Sequence, residues 1–200
     1  MDARRFARAI EAIDAVNAQD PNRVDAGGVA RPKELVHADM VTQWVRKLRP
    51  DASEELLLAA RAHHIRRWAS PRQSFPEGRA GYLSWRAELK KRHAEDAGQI
   101  MTEAGYPGRS VRRVQEIIRR IDLKGDAEAQ TLEDALCLVF LETQLGDVAE
   151  RLEEAKMIDV IRKTLRKMSE AAKACAVQLA LPAESRKLLE KSLGAHREGV

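Results

Sequence analysis

The sequence has few of the residues from which β-sheets and disulfide frameworks are built. Aromatic residues make up 4% of its 200 positions, and its only cysteines are Cys137 and Cys175. Two cysteines are too few for a disulfide framework, and both lie in apolar helical stretches where a thiol usually packs. A composition poor in strand-forming residues and rich in Ala, Leu, Glu, Lys and Arg predicts an all-α protein.

Long apolar stretches are also missing. No uninterrupted apolar run reaches the length of about 18 residues that a membrane-spanning helix needs. The N-terminal segment MDARRFARAIEAIDAV lacks the apolar stretch and the small-residue cleavage site of a signal peptide. We therefore expect a soluble, cytoplasmic protein without a membrane partner.

No strong excess of one charge is present. The 35 basic and 31 acidic residues give a net charge of +4, which is a mixed surface rather than a polycation. This balance predicts a mild preference for anionic small molecules, and it disfavours specific nucleic-acid binding because no RNA-binding motif accompanies it.

Apolar residues recur at helical spacing along nearly the whole chain. The pattern predicts one domain over residues 1–200, with a core from about 4 to 193 and a tail from 194 to 200. Three helices are expected before residue 70, with Ser53 capping the third, which continues through AARAHHIRRW to Trp68. Two prolines and two glycines predict a loop over 71–81. Later helices are expected over about 82–104, 111–121 with Ser110 as its cap, 127–145, 147–164 and on to 179, and from Pro182 to 193.

Two of the five histidines are adjacent, at His63 and His64. His37 lies on the apolar face of the preceding predicted helix, four residues before Val41. Neighbouring residues of a helix are about 100° apart, so His63 and His64 flank one inward point only at the edge of an apolar stripe. A metal ion shared by the imidazoles would satisfy this geometry.

Asp134 lies on the apolar face of a predicted helix with Leu138, Leu141 and Leu145. An ionised carboxylate is costly to bury unless it is paired or bound to a metal. The expected ligands of the metal are His37, His63, His64 and Asp134. Three imidazoles and one carboxylate suit a single divalent transition metal, Zn, Fe, Mn, Ni or Co, better than magnesium.

The order of these residues resembles the HD-domain metal-dependent phosphohydrolases, whose pattern is a His, a later His-Asp pair and a distant Asp. The segments ELVHADMVTQWVRKL, LLLAARAHHIRRW and HAEDAGQIMTEAGY are similar to helices of that superfamily. The resemblance implies a single compact HD-domain-like helical bundle. His64 replaces the Asp that bridges two metals in binuclear members, which favours one ion or a site rebuilt around His93.

A second resemblance covers roughly residues 4–193. The phrases AARAHHIRRW, RAGYLSWR, LEDALCLVFLE and KTLRKMS are similar to a family labelled only as domain of unknown function 4202. This resemblance supports the fold and implies no activity.

Anion-binding side chains cluster near the histidine pair. Guanidinium groups bind phosphate through paired hydrogen bonds, and an aromatic ring can stack on a base or close a pocket. The resemblance to HD-domain enzymes implies that Arg66, Arg67 or Arg86 offsets charge on the departing group, and that His93 transfers a proton or adds a ligand. Lys163 and Lys167 fit a solvated helix surface better. The expected substrate-binding residues are Arg67, Arg72, Arg79, Tyr82, Trp85 and Arg86.

Three functions follow from these patterns. The first is a metal-dependent hydrolase of a phosphorylated small molecule or nucleotide. The second is a non-catalytic HD-like protein that senses a ligand or binds a partner, and the third is an iron-dependent oxygenase. A homodimer is compatible with all three.

Overall fold

The computed structural model describes residues 2–123, 125–149 and 152–194. Its regular structure is helical apart from one short hairpin, so the all-α prediction is confirmed. The helices are α1 (Ala3–Asn17), α2 (Lys33–Leu48), α3 (Glu54–Ala62), α4 (Gly78–Glu103), α5 (Gly108–Arg119), α6 (Ala127–Thr143), α7 (Leu145–Ala149), α8 (Glu154–Leu165), α9 (Glu170–Val177) and α10 (Ala183–Gly194). None of the helices in the described ranges is long and apolar enough to cross a membrane.

Contacts between Cα atoms divide the chain into two compact units, residues 1–132 and 133–200. The prediction of one domain over 1–200 stays a prediction. In the first unit, α4 packs on α5, and α3 contacts α1, α2, α4 and α5. Leu56, Leu58 and Ile65 are fully buried there, so α3 and the turn after it lie in the core of this unit.

The start of α3 follows the sequence pattern, whereas its end does not. The hydroxyl of Ser53 accepts a hydrogen bond from the amide of Leu56 at 3.0 Å, as expected of an N-cap. The helix ends at Ala62 instead of running to Trp68, and residues 63–66 form a turn. Arg66 has a φ of 52°, in the left-handed region that stops a right-handed helix. The histidine pair therefore lies just beyond a helix and not within one.

Two further boundaries differ from the sequence pattern. Helix α4 begins at Gly78, so the predicted loop over 71–81 is shorter and contains a 3₁₀ turn at Arg72–Ser74. Helix α5 begins at Gly108 after Pro107, and the predicted cap Ser110 lies buried in its first turn. Proline fits a helix start for two reasons: its fixed φ is compatible with the helix, and its missing N–H would have had no partner within the helix.

A short antiparallel hairpin precedes α2, and the sequence pattern did not predict it. Its strands are β1 (Arg23–Asp25) and β2 (Ala30–Pro32), with Val24 opposite Arg31. Gly27 and Gly28 both have positive φ in the connecting turn, which glycine adopts without strain. The pair of glycines between two valines was the available signal.

The buried carboxylate of Asp20 fixes the start of α2. Pro32, at the N-cap position, offers no side-chain acceptor, and Asp20 instead accepts a hydrogen bond from the amide of Glu34 at 3.0 Å. Its other oxygen accepts from the amide of Asn22 at 2.9 Å. Asp20 thus orients the first turn of the helix that carries His37.

Arg61 connects three helices of the first unit. Its guanidinium donates to both carboxylate oxygens of Asp14 on α1 and to Asp39 on α2. The side chain of Arg61 is only 12% exposed, so its charge depends on these partners.

In the second unit, α10 packs against α7 and α8, and Lys191 on α10 pairs with Glu154 on α8. Ser169 caps α9 by accepting from the amide of Ala172 at 3.2 Å. Of the predicted tail, residues 195–200 lie outside the described residues.

We predict that Arg61→Gln lowers the free energy of unfolding by about 2–3 kcal/mol, because partly buried Asp14 loses its cation and Asp39 keeps only its pair with Arg31. Urea denaturation measures the change. Arg46→Gln, on the exposed face of α2, is the matched control and should cost about 0.5 kcal/mol or less. Equal effects of the two variants would contradict the structural role of Arg61.

Asp126 gives a pH-dependent prediction. Hydrogen bonds from Arg113 lower the pKa of Asp126 from 3.8 to about 2, against the raising effect of burial, and the amides of Glu128 and Ala129 also donate to it. A carboxyl group whose pKa is lower in the folded than in the unfolded protein stabilises the fold at pH values above its unfolded pKa. This stabilisation is lost as the pH falls through the folded-state pKa. Asp126→Ala should therefore cost about 1–2 kcal/mol at pH 6, and the difference should shrink between about pH 4 and pH 2. A difference independent of pH in urea denaturation would contradict this role.

Candidate metal centre

Four histidines from three segments of the first unit come together. His37 lies in the second turn of α2, His63 and His64 follow α3, and His93 lies in the middle of α4. Ring centroids are 5.1 Å apart for His37 and His63, 4.8 Å for His37 and His64, and 4.2 Å for His63 and His64. The ring of His93 lies 5.8 Å from that of His64. Imidazoles of residues distant in sequence therefore meet in one cluster.

Two adjacent residues, His63 and His64, contribute side chains to this cluster, and they do so where α3 ends. A continued helix would separate the side-chain directions of His63 and His64 by about 100°. Instead α3 ends at Ala62, His63 is its C-cap with αR dihedrals, and residues 63–66 form a turn. The imidazole Nδ1 of His63 donates to the carbonyl of Ala60 at 2.8 Å, so the side chain satisfies a carbonyl at the helix end.

Hydrogen bonds to carbonyls fix the proton position on two of the rings. Besides the bond of His63 to Ala60, His93 Nδ1 donates to the carbonyl of Ile65 at 2.7 Å. Since a carbonyl oxygen only accepts, the proton of each neutral ring is on Nδ1 and the lone pair is on Nε2. Such second hydrogen bonds orient the histidine ligands of metals in proteins.

The nitrogen atoms that carry these lone pairs are buried without a partner. Among the residues that the structure describes, no group hydrogen-bonds to Nε2 of His37, His63 or His93. His63 and His93 are each only 3% exposed. Buried polar atoms are rarely left unsatisfied, because an unmade hydrogen bond costs about 1–3 kcal/mol. Two of these atoms, on His37 and His63, belong to residues that could hold a metal ion together with His64.

Burial keeps these imidazoles neutral. It lowers the pKa of His37 and of His93 to about 4, and it lowers the pKa values of His63 and His64 well below 6.5. Nearby Arg67 lowers the pKa values of His37, His64 and His93 further. Neutral imidazole is the form that binds metals.

The distances permit a shared ion. One ligand atom from each of His37, His63 and His64 lies within 4.8 Å of the others. Among the described residues, this is the group whose ligand atoms are close enough to share an ion, and it consists of histidines alone. Nitrogens that share a tetrahedral ion at about 2.0–2.1 Å are about 3.3 Å apart. The three ligand atoms would therefore have to move closer together to bind one ion.

Sequence reasoning missed Glu34 as a member of this site. Its Oε2 lies 3.2 Å from Nδ1 of His64, and the residue is buried at the start of α2. Burial raises its pKa from 4.5 to about 7, although Arg67 acts in the opposite direction. A carboxylate on the far nitrogen of a histidine is the usual support of a metal ligand. Its position three residues before His37, on the same helical face, was the available signal.

Asp134 lies in the second unit, on α6. Its two oxygens accept hydrogen bonds from the amide of Ser169 at 2.8 Å and from the hydroxyl of Ser169 at 2.6 Å. This buried carboxylate thus supports the cap of α9. Its role as a metal ligand stays a prediction.

Among the predicted anion-binding arginines, Arg67 differs from the others. Its guanidinium lies 4.9 Å from the ring centre of Trp85, and its Nε lies 3.9 Å from Glu34. Within the described part of the chain, the guanidinium of Arg67 makes no hydrogen bond, although its Nε is close enough to Glu34 for an ion pair. A guanidinium held over an indole with its donors unspent is a preformed anion receptor.

The other predicted residues have partners or face solvent. Arg66 is exposed and donates to Asp96 at 3.0 Å, and Arg72 donates to the carbonyls of Phe75 and Gly78 within its own loop. Arg79 is exposed on the first turn of α4.

Trp85 contacts both Arg67 and Tyr82. Its indole nitrogen donates to the carbonyl of Ser70 at 2.9 Å, and its ring lies 5.9 Å from that of Tyr82. Arg86 donates to the hydroxyl of Tyr82 at 3.1 Å. Tyr82, Trp85, Arg86 and Arg67 thus form one aromatic and cationic surface beside Glu34.

Comparison with known proteins gives a family but no activity. A family model described as a domain of unknown function (DUF4202) matches residues 7–189. No curated protein and no solved structure matches the chain.

We predict that Glu34→Gln weakens zinc binding about 10- to 100-fold, because the amide is a poorer acceptor for the Nδ1 proton of His64 than a carboxylate. Calorimetric titration of zinc into the protein at pH 7.5 measures the change. Glu11→Gln, on the exposed face of α1, is the control and should bind zinc like the parent protein. Unchanged affinity in Glu34→Gln would contradict the role of Glu34.

Proposed function

This chain belongs to the family described as a domain of unknown function (DUF4202), and we propose that it is a metal-dependent hydrolase of a phosphorylated small molecule. The observation that carries the proposal is the cluster of His37, His63 and His64, in which Nε2 of His37 and of His63 is buried and unpartnered. The order of these residues accords with a divergent HD-domain protein, and we include that relationship in the proposal.

The donor set fits one divalent transition metal. Neutral imidazole nitrogens favour Zn, Fe, Mn, Ni or Co over magnesium, which prefers oxygen ligands. His37, His63 and His64 would hold the ion, with Glu34 behind His64. When bound, such an ion supplies catalysis by lowering the pKa of water and polarising a phosphoryl oxygen.

Arg67 is the proposed phosphate-binding residue. Its positive charge lies close enough to lower the pKa values of three of the histidines, and Trp85 holds its plane. Its unspent donors can bind two phosphate oxygens side by side. Arg67 would therefore hold the phosphoryl group at the cluster and offset negative charge that develops on it.

The protonation state of His93 suits a general base or a further metal ligand rather than a general acid. Its proton is committed to the carbonyl of Ile65, so its Nε2 accepts either a proton or the ion. In the proposed hydrolysis, water forms the new bond to phosphorus, the ester P–O bond breaks, and the departing oxygen takes a proton that water released. No other reactant is required.

A second candidate is a non-catalytic metal-binding protein that senses a phosphorylated ligand. It is favoured by the cluster of ligand atoms itself, which lacks the Asp that HD-domain enzymes carry at the position of His64. An iron-dependent oxygenase would be distinguished by iron as the bound metal and by oxygen consumption.

The test begins with the metal content of the purified protein, followed by hydrolysis of p-nitrophenyl phosphate with each of the five ions. We expect about one ion per chain and metal-dependent phosphate release, both lost in His63→Ala. Binding of the ion without turnover of any phosphomonoester would favour the sensor, and absence of ion binding would overturn both candidates.

Two arginine variants test the assignment of the phosphate-binding residue. Arg67→Gln should lower kcat/KM about 100-fold, whereas Arg66→Gln should lower it less than about tenfold because Asp96 already neutralises Arg66. Arg46→Gln is the control for a lost surface charge. A larger loss in Arg66→Gln than in Arg67→Gln would reverse the assignment.

A further inference from the structure

A cavity of about 200 Å³ lies beside His93 in the first unit. His93 is part of its wall, and the ring of His93 lies 5.8 Å from that of His64. Ser70 also lines the cavity, and its carbonyl accepts a hydrogen bond from the indole of Trp85. The guanidinium of Arg67 lies over that indole. The cavity therefore shares His93 with the histidine cluster, and its wall includes Arg66, the residue before Arg67.

The charged side chains around the cavity are already neutralised. Arg66 pairs with Asp96 at 3.0 Å, and both line the cavity. Arg92 pairs with Glu88 at 2.8 Å and also donates to the hydroxyl of Ser70 at 2.9 Å. Glu95, the remaining charged residue of the wall, lies 4.0 Å from Lys91.

These ion pairs make the cavity wall chemically different from the surface around Arg67. The guanidinium of Arg67 has unspent donors and accepts an anion, whereas the cavity offers balanced charges that suit a neutral polar group. Carboxylate oxygens of the wall accept hydrogen bonds from hydroxyl groups, and the hydroxyl and guanidinium groups of the wall donate to them. Ile65, Ala69 and Leu89 add an apolar part of the wall, which suits the C–H face of a sugar or polyol.

The volume limits the size of the group that enters. A water molecule occupies about 30 Å³ in the liquid, so the cavity holds the equivalent of about six or seven waters. A chain or ring of three to six carbons with its hydroxyl groups fills such a space. A nucleoside, with a base and a ribose, is too large to be enclosed by it.

We propose that this cavity receives the neutral, hydroxylated half of a phosphomonoester of a three- to six-carbon polyol or sugar, while its phosphate lies at Arg67 and the histidine cluster. The inference rests on the proposed function for the placement of the phosphate. It makes the substrate class a small polyol or sugar phosphate rather than a nucleotide.

Calorimetric binding to the zinc-loaded full-length protein tests this assignment separately from turnover. The probes are the phosphonate analogue of ribose 5-phosphate, in which a CH₂ group replaces the ester oxygen, inorganic phosphate and AMP. We expect the sugar phosphonate to bind at least tenfold more tightly than inorganic phosphate or AMP. Ala69→Leu, which fills the cavity, should remove this preference but leave zinc and inorganic phosphate binding unchanged. Ala87→Leu, at an exposed position of α4 away from the cavity, is the control for the added side chain.

The outcomes distinguish the two proposals. Equal binding of the sugar phosphonate and inorganic phosphate, tighter binding of AMP, or a preference that survives in Ala69→Leu would overturn the cavity assignment. Failure of the protein loaded with each of the five ions to hydrolyse ribose 5-phosphate, with the binding preference intact, would overturn the hydrolase proposal and keep the ligand class.

Discussion

Buried imidazole nitrogens without a hydrogen-bond partner are the constraint on which the candidate site depends. The carbonyls of Ala60 and Ile65 take the Nδ1 protons of His63 and His93, and this directs the lone pairs onto buried Nε2 atoms. Leaving such atoms unsatisfied opposes folding by an amount comparable to a large part of a domain's net stability. A metal ion held by His37, His63 and His64 is our proposed explanation for the unpartnered Nε2 atoms of His37 and His63.

A backbone turn after α3 lies next to the histidine cluster. Arg66 adopts a left-handed conformation in the turn that follows α3, and the rings of His63 and His64 lie 4.2 Å apart in that same turn. The same turn sends Arg66 to Asp96 on the surface and places Arg67 over Trp85 next to Glu34. Neighbouring arginines thus acquire different chemistry: one is neutralised at the cavity wall, and the other keeps its donors for an anion.

The sequence predicted the helical class and the three histidines that meet, because apolar periodicity and the order of residues depend on local patterns. It did not predict where α3 ends, since the stretch through His63 to Trp68 contains good helix formers and the turn is set by tertiary contacts. Glu34 was missed because a single glutamate at a helix start is ordinary until its burial is known. Asp134 was chosen for burial on an apolar face, and the hydrogen bonds it makes to Ser169 could not be read from spacing.

X-ray absorption at the zinc edge of the zinc-loaded protein tests the central claim most directly, because it reports the atoms bound to the ion. We predict a first shell containing nitrogen at about 2.0–2.1 Å, with the outer-shell scattering of at least three imidazoles. The imidazole signal should fall in a variant that carries both His37→Ala and His63→Ala. A shell of oxygen alone, or the same spectrum in that variant, would contradict the histidine cluster as the metal centre.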